Sequence, residues 1–183
     1  MPIVVEPMDT ATLDGHTGDI EQVYRRAFDT TPDQAEAFIE KAFTRHQTYP
    51  GFTGDLALDG DQVVGFVYGY HSGRGGWWHS TIRPALVENG HGSWLDDAFE
   101  FVELAVDPDW QGHGIGGRLH DAILARVSER TALLSTGPAP SNAHHLYASR
   151  GWRVLIPEFR FTRTGDPAVI MGLDIPTYRS RCS

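Results

Sequence analysis

The chain has 183 residues, 40% of them hydrophobic, and its 24 acidic against 15 basic residues give a formal net charge of −9. This length and apolar share predict one domain, 1–183, with a full hydrophobic core. The acidic balance argues against nucleic acid as a partner, since such a partner needs a basic patch. No apolar run could span a membrane, and a single cysteine excludes an internal disulfide, so we expect a cytoplasmic protein without membrane contact.

The first 50 residues read as a strand followed by two helices. A β-branched run at 2–7 predicts the strand, and the stretch 8–18 reads as turn-rich. Apolar residues at helical spacing predict a helix over 20–28. Thr31 and Pro32 open the second helix, because threonine is a favourable cap and proline suits the first helical position.

A β-hairpin is predicted next, with strands at 52–58 and 62–70. Asp59 and Gly60 supply its turn. The stretch 71–97 contains several turn signals and reads as a long loop. Long loops in compact domains often carry function, although packing against the core is an equally good interpretation here.

The centre of the chain reads as a strand at 99–106, a glycine-rich turn at 111–117 and a helix that starts near Gly116. Asp107, Pro108 and Asp109 end the strand, since proline cannot donate to a β-ladder. A glycine-rich turn that opens a helix exposes backbone N–H groups and the positive end of the helix dipole. This arrangement predicts an anion site, with pyrophosphate as the anion.

Two known phosphate-binding motifs fit this turn poorly. A P-loop requires a lysine that the turn lacks. The dinucleotide fingerprint is formally present as Gly112, Gly114 and Gly117, but five residues separate these glycines from the strand. The next strand, at 131–136, also lacks the acidic residue that would bind a ribose.

The last third of the chain alternates short strands and a helix. After the strand at 131–136, Ser141 or Asn142 can cap a helix over 144–149. Further strands are predicted at 152–156, extending to 159–162 after a break, and at 169–173. The tail from Asp174 reads as loose.

Two segments together resemble the Gcn5-related N-acetyltransferases. The first is Val106-Asp107-Pro108 followed by Gln111-Gly112-His113-Gly114-Ile115-Gly116, which is similar to the acyl-CoA signature of that family. The second is Asn142 to Trp152, in which Leu146-Tyr147 and Gly151-Trp152 resemble the L-Y-x-x-x-G-F/W part of a family segment that begins with asparagine. Strand, turn, glycines and helix all follow in the family's order.

The resemblance implies a fold and an activity. The fold is mixed α/β (α+β): a central, mostly antiparallel sheet of about seven strands with helices on both faces. The activity is acetyl transfer from acetyl-CoA to a primary amine of a small molecule or protein, without a covalent enzyme intermediate. Members of the family are often dimers, so a homodimer is expected by analogy.

The resemblance also implies the cofactor contacts. The backbone of the strand end would bind the pantetheine arm, and the turn amides would bind the pyrophosphate, with Asn142 contacting the arm. The implied set is Leu104, Ala105, Val106, Gln111, Gly112, His113, Gly114, Ile115, Gly116, Gly117, Arg118 and Asn142.

Three side chains are candidates for proton transfer. Tyr147 matches the family residue that protonates the leaving thiolate, and a tyrosine hydroxyl with its usual pKa of about 10 is protonated at neutral pH. Glu103 is the first candidate for the base that deprotonates the amine, and Glu100 is the second. Three residues apart on a strand, the two glutamates point to opposite faces. Either could instead order the sheet or bind the amine as a counter-ion.

No metal site is predicted. His144 and His145 are adjacent on a helix and point about 100° apart, so they cannot easily share one ion. Two other functions stay open: a non-catalytic CoA-binding sensor of the same fold, and, as a third choice, an oxidoreductase that uses a dinucleotide.

Overall fold

The computed structural model describes residues 2–182. Seven strands run through it: β1 (Val4–Pro7), β2 (Thr53–Asp59), β3 (Gln62–His71), β4 (Ala98–Val106), β5 (Thr131–Thr136), β6 (Arg153–Phe159) and β7 (Ala168–Asp174). They form one sheet in the order β1-β2-β3-β4-β5-β7-β6. β1–β2, β2–β3, β5–β7 and β6–β7 pair antiparallel, whereas β4 and β5 pair parallel. The predicted seven-stranded, mostly antiparallel α/β sheet is therefore confirmed.

The helices are α1 (Thr10–Ala27), α2 (Pro32–Ala37), α3 (Thr44–His46), α4 (Trp77–Glu88), α5 (Ile115–Arg126), α6 (Asn142–Ser149) and α7 (Ile175–Cys182). A π-helical segment, Phe38–Phe43, joins α2 to α3. Thr31 caps α2 and Pro32 takes its first position, as predicted. Over residues 2–182, no helix has both the length and the apolar character needed to cross a bilayer.

The prediction of a turn-rich stretch at 8–18 is wrong, because α1 already starts at Thr10. Asp9 caps it: the Asp9 carboxylate accepts a hydrogen bond from the Thr12 amide at 2.8 Å, and Thr12 bonds back to the Asp9 amide. Gly15 and Gly18 produced the turn-like reading. A capping box of this kind satisfies free N–H groups at the helix start and outweighs the low helix propensity of glycine.

The loop predicted at 71–97 contains α4 and a 3₁₀ turn, Gly92–Leu95. Pro84 lies inside α4. Because proline usually breaks a helix, the sequence does not predict this one. Ile82 and Leu86, four residues apart on one side of the helix, are completely buried. Burial of this apolar side compensates for the backbone hydrogen bond that proline removes.

The tail predicted to be loose from Asp174 forms α7. The Asp174 carboxylate accepts a hydrogen bond from the Thr177 amide at 2.9 Å, and Ile175 and Tyr178 are buried. A capped start and two buried side chains thus order this helix.

The chain divides into two compact units. The first combines Met1–Tyr70 with Val102–Val127, and the second combines His71–Phe101 with Ser128–Ser183. In the first unit, Ile20 and Val23 of α1 join Phe66 and Tyr68 of β3 in one apolar core. α5 lies on the opposite face of β3, because a Cβ at Gly65 would be 3.2 Å from Leu119. This unit therefore has helices on both faces of its strands.

In the second unit, α4 packs its apolar side on the sheet. Ile82 and Leu86 form a core with Ala98, Leu133 and Ile170. The parallel register of β4 with β5 runs from the Ala98–Thr131 pair to the Glu100–Leu133 pair, three pairs of a nine-residue strand.

Candidate active site

The glycine-rich turn between β4 and α5 has two residues in the left-handed backbone region. Gly112 has a φ of 78° and Gly114 a φ of 76°, and a Cβ at either position would meet no atom within 4 Å. Left-handed residues alternating with ordinary ones turn successive N–H groups to the same side of the chain. The turn is thus a concave backbone surface that is open to a ligand, and only glycine reaches these φ values without strain.

Among residues 2–182, the N–H groups of this surface have no protein partner. Gly114 is the N-cap of α5 but offers no side chain, and Arg118 N–H is the first amide to bond back into the helix, to Gly114 O at 3.1 Å. Within residues 2–182, no protein acceptor is found for the amides from Gly112 to Gly117. Free amides at a helix N-terminus, where the dipole is positive, form an anion site.

Side chains of the turn brace it rather than extend into the open space. Gln111 Nε2 donates to the Val106 carbonyl at 3.0 Å. His113 Nδ1 lies 2.9 Å from the Gln111 carbonyl and 3.2 Å from the Trp110 carbonyl, so this nitrogen carries the proton and donates. Val106, whose backbone is predicted to bind the cofactor arm, therefore already accepts one hydrogen bond at its carbonyl from within the turn.

The far end of α5 is anchored to β2. Arg126 binds the Asp55 carboxylate through two contacts of 2.7 and 2.9 Å and donates to the Gly54 carbonyl at 3.0 Å. Asp55 is completely enclosed, with a relative exposure of 1%. Burial raises the pKa of the Asp55 carboxyl, and the Arg126 hydrogen bond opposes that rise. This ion pair fixes the helix that carries the anion site.

Glu103, the first candidate base, lies on β4 beside two tyrosines. Its side chain is partly exposed, and no hydrogen bond to its carboxylate is found in the described part of the chain. Burial among apolar and aromatic neighbours raises its pKa to about 8. Its negative charge in turn raises the pKa of Tyr24 and of Tyr68, after the larger effect of their own burial.

His46 contacts one of these two tyrosines. Its Nδ1 lies 3.0 Å from the Tyr68 hydroxyl, and burial lowers the pKa of His46 to about 4, so the imidazole is neutral at pH 7. Tyr24 also stacks on Phe38, with ring centroids 3.8 Å apart and planes at 1°. The sequence did not indicate these partners, since they lie 35 to 79 positions from Glu103 and follow no motif.

Glu100, the second candidate base, is buried in a different setting. The Ser72 hydroxyl donates to Glu100 Oε1 at 2.9 Å and lies 2.9 Å from His79 Nδ1. Since the serine proton is directed at Glu100, His79 Nδ1–H donates to Ser72 and the Nε2 atom carries a lone pair. That Nε2 is buried and has no partner among the described residues. Burial lowers the pKa of His79, which keeps the imidazole neutral.

Tyr147, the candidate acid, is buried in the second unit with a relative exposure of 7%. Its ring meets Phe101 edge-on at 5.9 Å and Trp152 at 5.5 Å. Asn142, the predicted contact to the cofactor arm, is the exposed first residue of α6, and Ser141 rather than Asn142 caps that helix.

The candidate residues divide between the two compact units. The turn, Glu103, Tyr24, Tyr68 and His46 belong to the first unit, and Glu100 and Tyr147 to the second. Within 2–182, no group of three or more His, Cys, Asp or Glu is placed to hold a metal ion. These residues supply backbone amides that can bind an anion, a carboxyl group that titrates near neutral pH, and buried hydroxyl groups.

Comparison with known proteins places this arrangement among acetyltransferases. The family model described as an acetyltransferase (GNAT) domain matches residues 56–154, more than half of the chain. A GCN5-like protein acetyltransferase of Mycobacterium tuberculosis is 30% identical over 129 residues, which cover 65% of this chain. The match spans 62% of that relative's length.

Solved structures share the fold at low sequence identity. An acetyltransferase of the GNAT family from Desulfovibrio desulfuricans superposes with a TM-score of 0.70 at 16% identity, covering 95% of this chain and 99% of that chain. An N-acetyltransferase from Thermoplasma acidophilum, solved with coenzyme A, gives a TM-score of 0.60 at 14% identity, with 95% and 99% coverage.

Proposed function

The chain belongs to the GNAT acetyltransferases, and from this premise we propose that it transfers an acetyl group from acetyl-CoA to a primary amine of a small molecule or protein. The amine nitrogen attacks the thioester carbonyl, the carbon–sulfur bond breaks, and the thiolate leaves and takes a proton. No covalent enzyme intermediate is needed. The observation that carries this proposal is the row of amides from Gly112 to Gly117 at the start of α5, for which residues 2–182 offer no acceptor.

In this proposal the turn binds the pyrophosphate of acetyl-CoA. Residues from Gln111 to Arg118 supply the backbone amides, and the helix dipole adds to the attraction. The pantetheine arm lies along Leu104, Ala105 and Val106, and Asn142 contacts it. The relative from Thermoplasma acidophilum was solved with coenzyme A, which supports the choice of cofactor.

Glu103 acts as the base in this reaction. Its pKa of about 8 means that the ionised form becomes populated near neutral pH, and it is then basic enough to take a proton from an ammonium group. Its partial exposure leaves a path for the amine. Glu100 is the alternative base, although its carboxylate is buried and already accepts a hydrogen bond from Ser72.

Tyr147 acts as the acid that protonates the thiolate, as the match to the family segment implies. A phenol is protonated at neutral pH and can donate without assistance. Its burial against Phe101 and Trp152 holds the ring in one position, which favours proton donation to a defined atom.

The acceptor is an amine, either of a small molecule or of a protein. The Mycobacterium tuberculosis relative is named a protein acetyltransferase, which favours a protein amine such as lysine. The net charge of −9 favours cationic acceptors of either kind. We also propose that 1–183 acts as one catalytic domain in a cytoplasmic homodimer. Sedimentation analysis of the purified chain would test the dimer.

Thermal unfolding with acetyl-CoA tests the cofactor. A specific ligand at about a hundred times its Kd adds roughly 2.7 kcal/mol of stability, which raises the Tm by about 5–10 °C. Gly114→Ala should abolish this rise, because alanine is strained at a φ of 76°. Gly73→Ala is the matched control, since that glycine is equally open and has no left-handed backbone. A rise with NAD and none with acetyl-CoA would instead support the dinucleotide alternative.

Release of free thiol tests turnover. Acetyl-CoA is incubated with a panel of small amines and lysine peptides, and activity with any of them supports the transferase. Binding of acetyl-CoA without thiol release, across a panel that includes proteins from the same cells, would favour the non-catalytic sensor.

A further inference from the structure

The end of α1 presents an aromatic surface to which the proposed reaction assigns no role. Tyr24 stacks on Phe38, with ring centroids 3.8 Å apart and planes at 1°, and its ring lies 4.9 Å from that of Phe28. Tyr24 is partly exposed, and Phe28 has a relative exposure of 44%. Solvent therefore reaches this group of rings, and a ligand can reach it as well.

A second group of rings lies around Tyr70, near the end of β3. The rings of His46 and Tyr49 lie 5.1 and 4.9 Å from the ring of Tyr70, and His46 is also 5.9 Å from Tyr68. Tyr68 and Tyr70 are buried, whereas His46 and Tyr49 are partly exposed. The buried rings thus hold the partly exposed ones in place by packing.

The two groups form one aromatic cluster with Glu103 beside it. The rings of Phe38 and Tyr68, one from each group, have centroids 6.4 Å apart. After the larger effect of burial, the charge of Glu103 raises the pKa of both Tyr24 and Tyr68, so the carboxyl group lies near both groups. The aromatic cluster comprises Tyr24, Phe28, Phe38, His46, Tyr49, Tyr68 and Tyr70.

Few charges act inside the aromatic cluster. Among the described residues, Glu103 is the one carboxyl found to act on the phenols of Tyr24 and Tyr68. Burial, with a smaller effect of the exposed Arg45, lowers the pKa of His46 to about 4, so its imidazole is neutral at pH 7. Burial likewise raises the pKa of Glu103 to about 8. Surroundings that disfavour charge in this way accept one ammonium group beside the carboxylate, but not further charges that have no partner.

We propose that the acceptor is an aromatic monoamine, a molecule in which a short alkyl chain joins one primary amine to an aromatic ring. This inference rests on the proposed acetyl transfer and names its substrate class. The ammonium group pairs with Glu103, and the ring packs on the partly exposed members of the aromatic cluster, because aromatic rings attract each other beyond the effect of buried area alone. A polyamine fits poorly, since only one of its charges would find a carboxylate.

The reaction remains that of the proposed function. The bond from the amine nitrogen to the acetyl carbon forms, and the carbon–sulfur bond breaks. Of the two protons that the ammonium group loses, one balances the proton that the thiolate gains and the other enters solvent. The aromatic cluster takes no part in these steps and selects the amine that is bound.

Thiol release from acetyl-CoA, measured with the full chain and four amines, tests the proposal. Phenethylamine is the aromatic monoamine, and cyclohexylethylamine is its non-aromatic counterpart of similar size. Spermidine is the polyamine, and the methylamide of Nα-acetyl-lysine represents a protein acceptor. We expect kcat/KM for phenethylamine to exceed that for cyclohexylethylamine about fivefold and that for spermidine about a hundredfold, and to exceed that for the lysine amide.

Two variants connect this preference to the aromatic cluster. Tyr24→Leu and Tyr49→Leu should each raise the KM for phenethylamine about fivefold, because leucine keeps an apolar side chain but removes the ring. The KM values for cyclohexylethylamine and acetyl-CoA should change little, a difference that a merely structural role of the two rings would not produce. Trp77→Leu is the matched control, since Trp77 is an exposed aromatic residue of the second unit, outside the aromatic cluster.

Two results would overturn this inference and leave the acetyl transfer intact. The first is a kcat/KM for cyclohexylethylamine, spermidine or the lysine amide that equals or exceeds that for phenethylamine. The second is an equal rise of the KM for the aromatic and the non-aromatic monoamine in both tyrosine variants. If a tyrosine variant does not fold, the comparison of amines with the wild type decides by itself. Thiol release with none of the amines would overturn the proposed function, and this inference with it.

Discussion

Arg26, at the end of α1, binds the two carboxylates that flank the entrance to the glycine-rich turn. Its Nη1 lies 2.8 Å from Asp107 Oδ2, and its Nη2 lies 2.8 Å from Asp109 Oδ2. Asp107 is buried and also accepts a hydrogen bond from the Asp109 amide at 3.0 Å. One guanidinium therefore fixes the chain that leads into the anion site, from a helix more than 80 positions earlier.

Removing the contacts of Arg26 with Asp107 and Asp109 should weaken cofactor binding. We expect Arg26→Gln to raise the KM for acetyl-CoA about tenfold, because the turn loses two charge-assisted hydrogen bonds that position its amides. Arg25→Gln is the control, since Arg25 is the exposed neighbouring residue and no hydrogen bond or ion pair joins it to the turn within residues 2–182. An unchanged KM together with a lowered Tm would show that the contacts of Arg26 serve stability alone.

The activity should depend on pH through Glu103. Its pKa of about 8 predicts that kcat/KM rises with pH and levels off above 8, as the carboxyl loses its proton. Glu103→Gln should remove this rise and lower kcat about a hundredfold. Glu88→Gln, an exposed glutamate at the end of α4, should leave the profile unchanged. Loss of the pH dependence in Glu100→Gln, and not in Glu103→Gln, would assign the base to Glu100.

Glu103 should also make stability depend on pH, in a direction that is unusual for a carboxylate. The folded protein holds the proton up to a pH of about 8, whereas the unfolded chain releases it near 4.5. The folded state thus binds more protons in this window, and stability falls as the pH rises from about 4.5 to 8. The Tm difference between Glu103→Gln and the wild type, measured across this window, should grow in favour of the variant. A constant difference would contradict the raised pKa.

Tyr147→Phe should separate chemistry from binding. Removal of the hydroxyl leaves the ring contacts with Phe101 and Trp152 in place, so the fold and the KM for acetyl-CoA should change little. The loss of the proton donor should lower kcat about a hundredfold. Tyr178→Phe, a buried tyrosine of α7, is the matched control. Full activity of Tyr147→Phe would assign protonation of the thiolate to water.

The ion pair under α5 should matter for stability. We expect Arg126→Gln to lower the free energy of unfolding by about 3 kcal/mol, because it leaves the buried Asp55 carboxylate without its charge partner. Adding Asp55→Asn should recover part of this loss, since the unpaired charge is then removed. Denaturant unfolding of the single and double variants measures the coupling, and additive losses would show that the two side chains do not interact.

Local signals allowed much of the fold to be predicted. The strand before the turn, the turn and α5 follow from residues that are close in sequence, and the hairpin follows from Asp59 and Gly60 between β-branched runs. α1 and α4 were obscured by Gly15, Gly18 and Pro84, which are turn signals that capping and burial overrode. Propensity rules weigh residues one at a time and do not contain these compensating contacts.

The candidate site was predictable only where its parts are contiguous. The turn amides needed one segment of sequence, and the geometry of that segment matches the expectation. The surroundings of the two glutamates did not follow from the sequence. Tyr68, with its partner His46, and Ser72, with its partner His79, reach them only through the pairing of strands and helices. An alternating pattern gives the face on which a side chain lies, but it does not give the neighbours that set its pKa.

Gly65 decides how closely β3 approaches its neighbours. A Cβ at this position would lie 3.0 Å from the Ala105 carbonyl oxygen and 3.2 Å from Leu119. In a saturation library selected for activity, we therefore expect almost every replacement at Gly65 to be lost. Gly15 and Gly18 should accept many replacements, because a Cβ added at either position would have no atom within 4 Å. Tolerance to mutation at the glycines of this chain should thus follow the distance from an added Cβ to the nearest atom, rather than the distance of the glycine from the candidate active site.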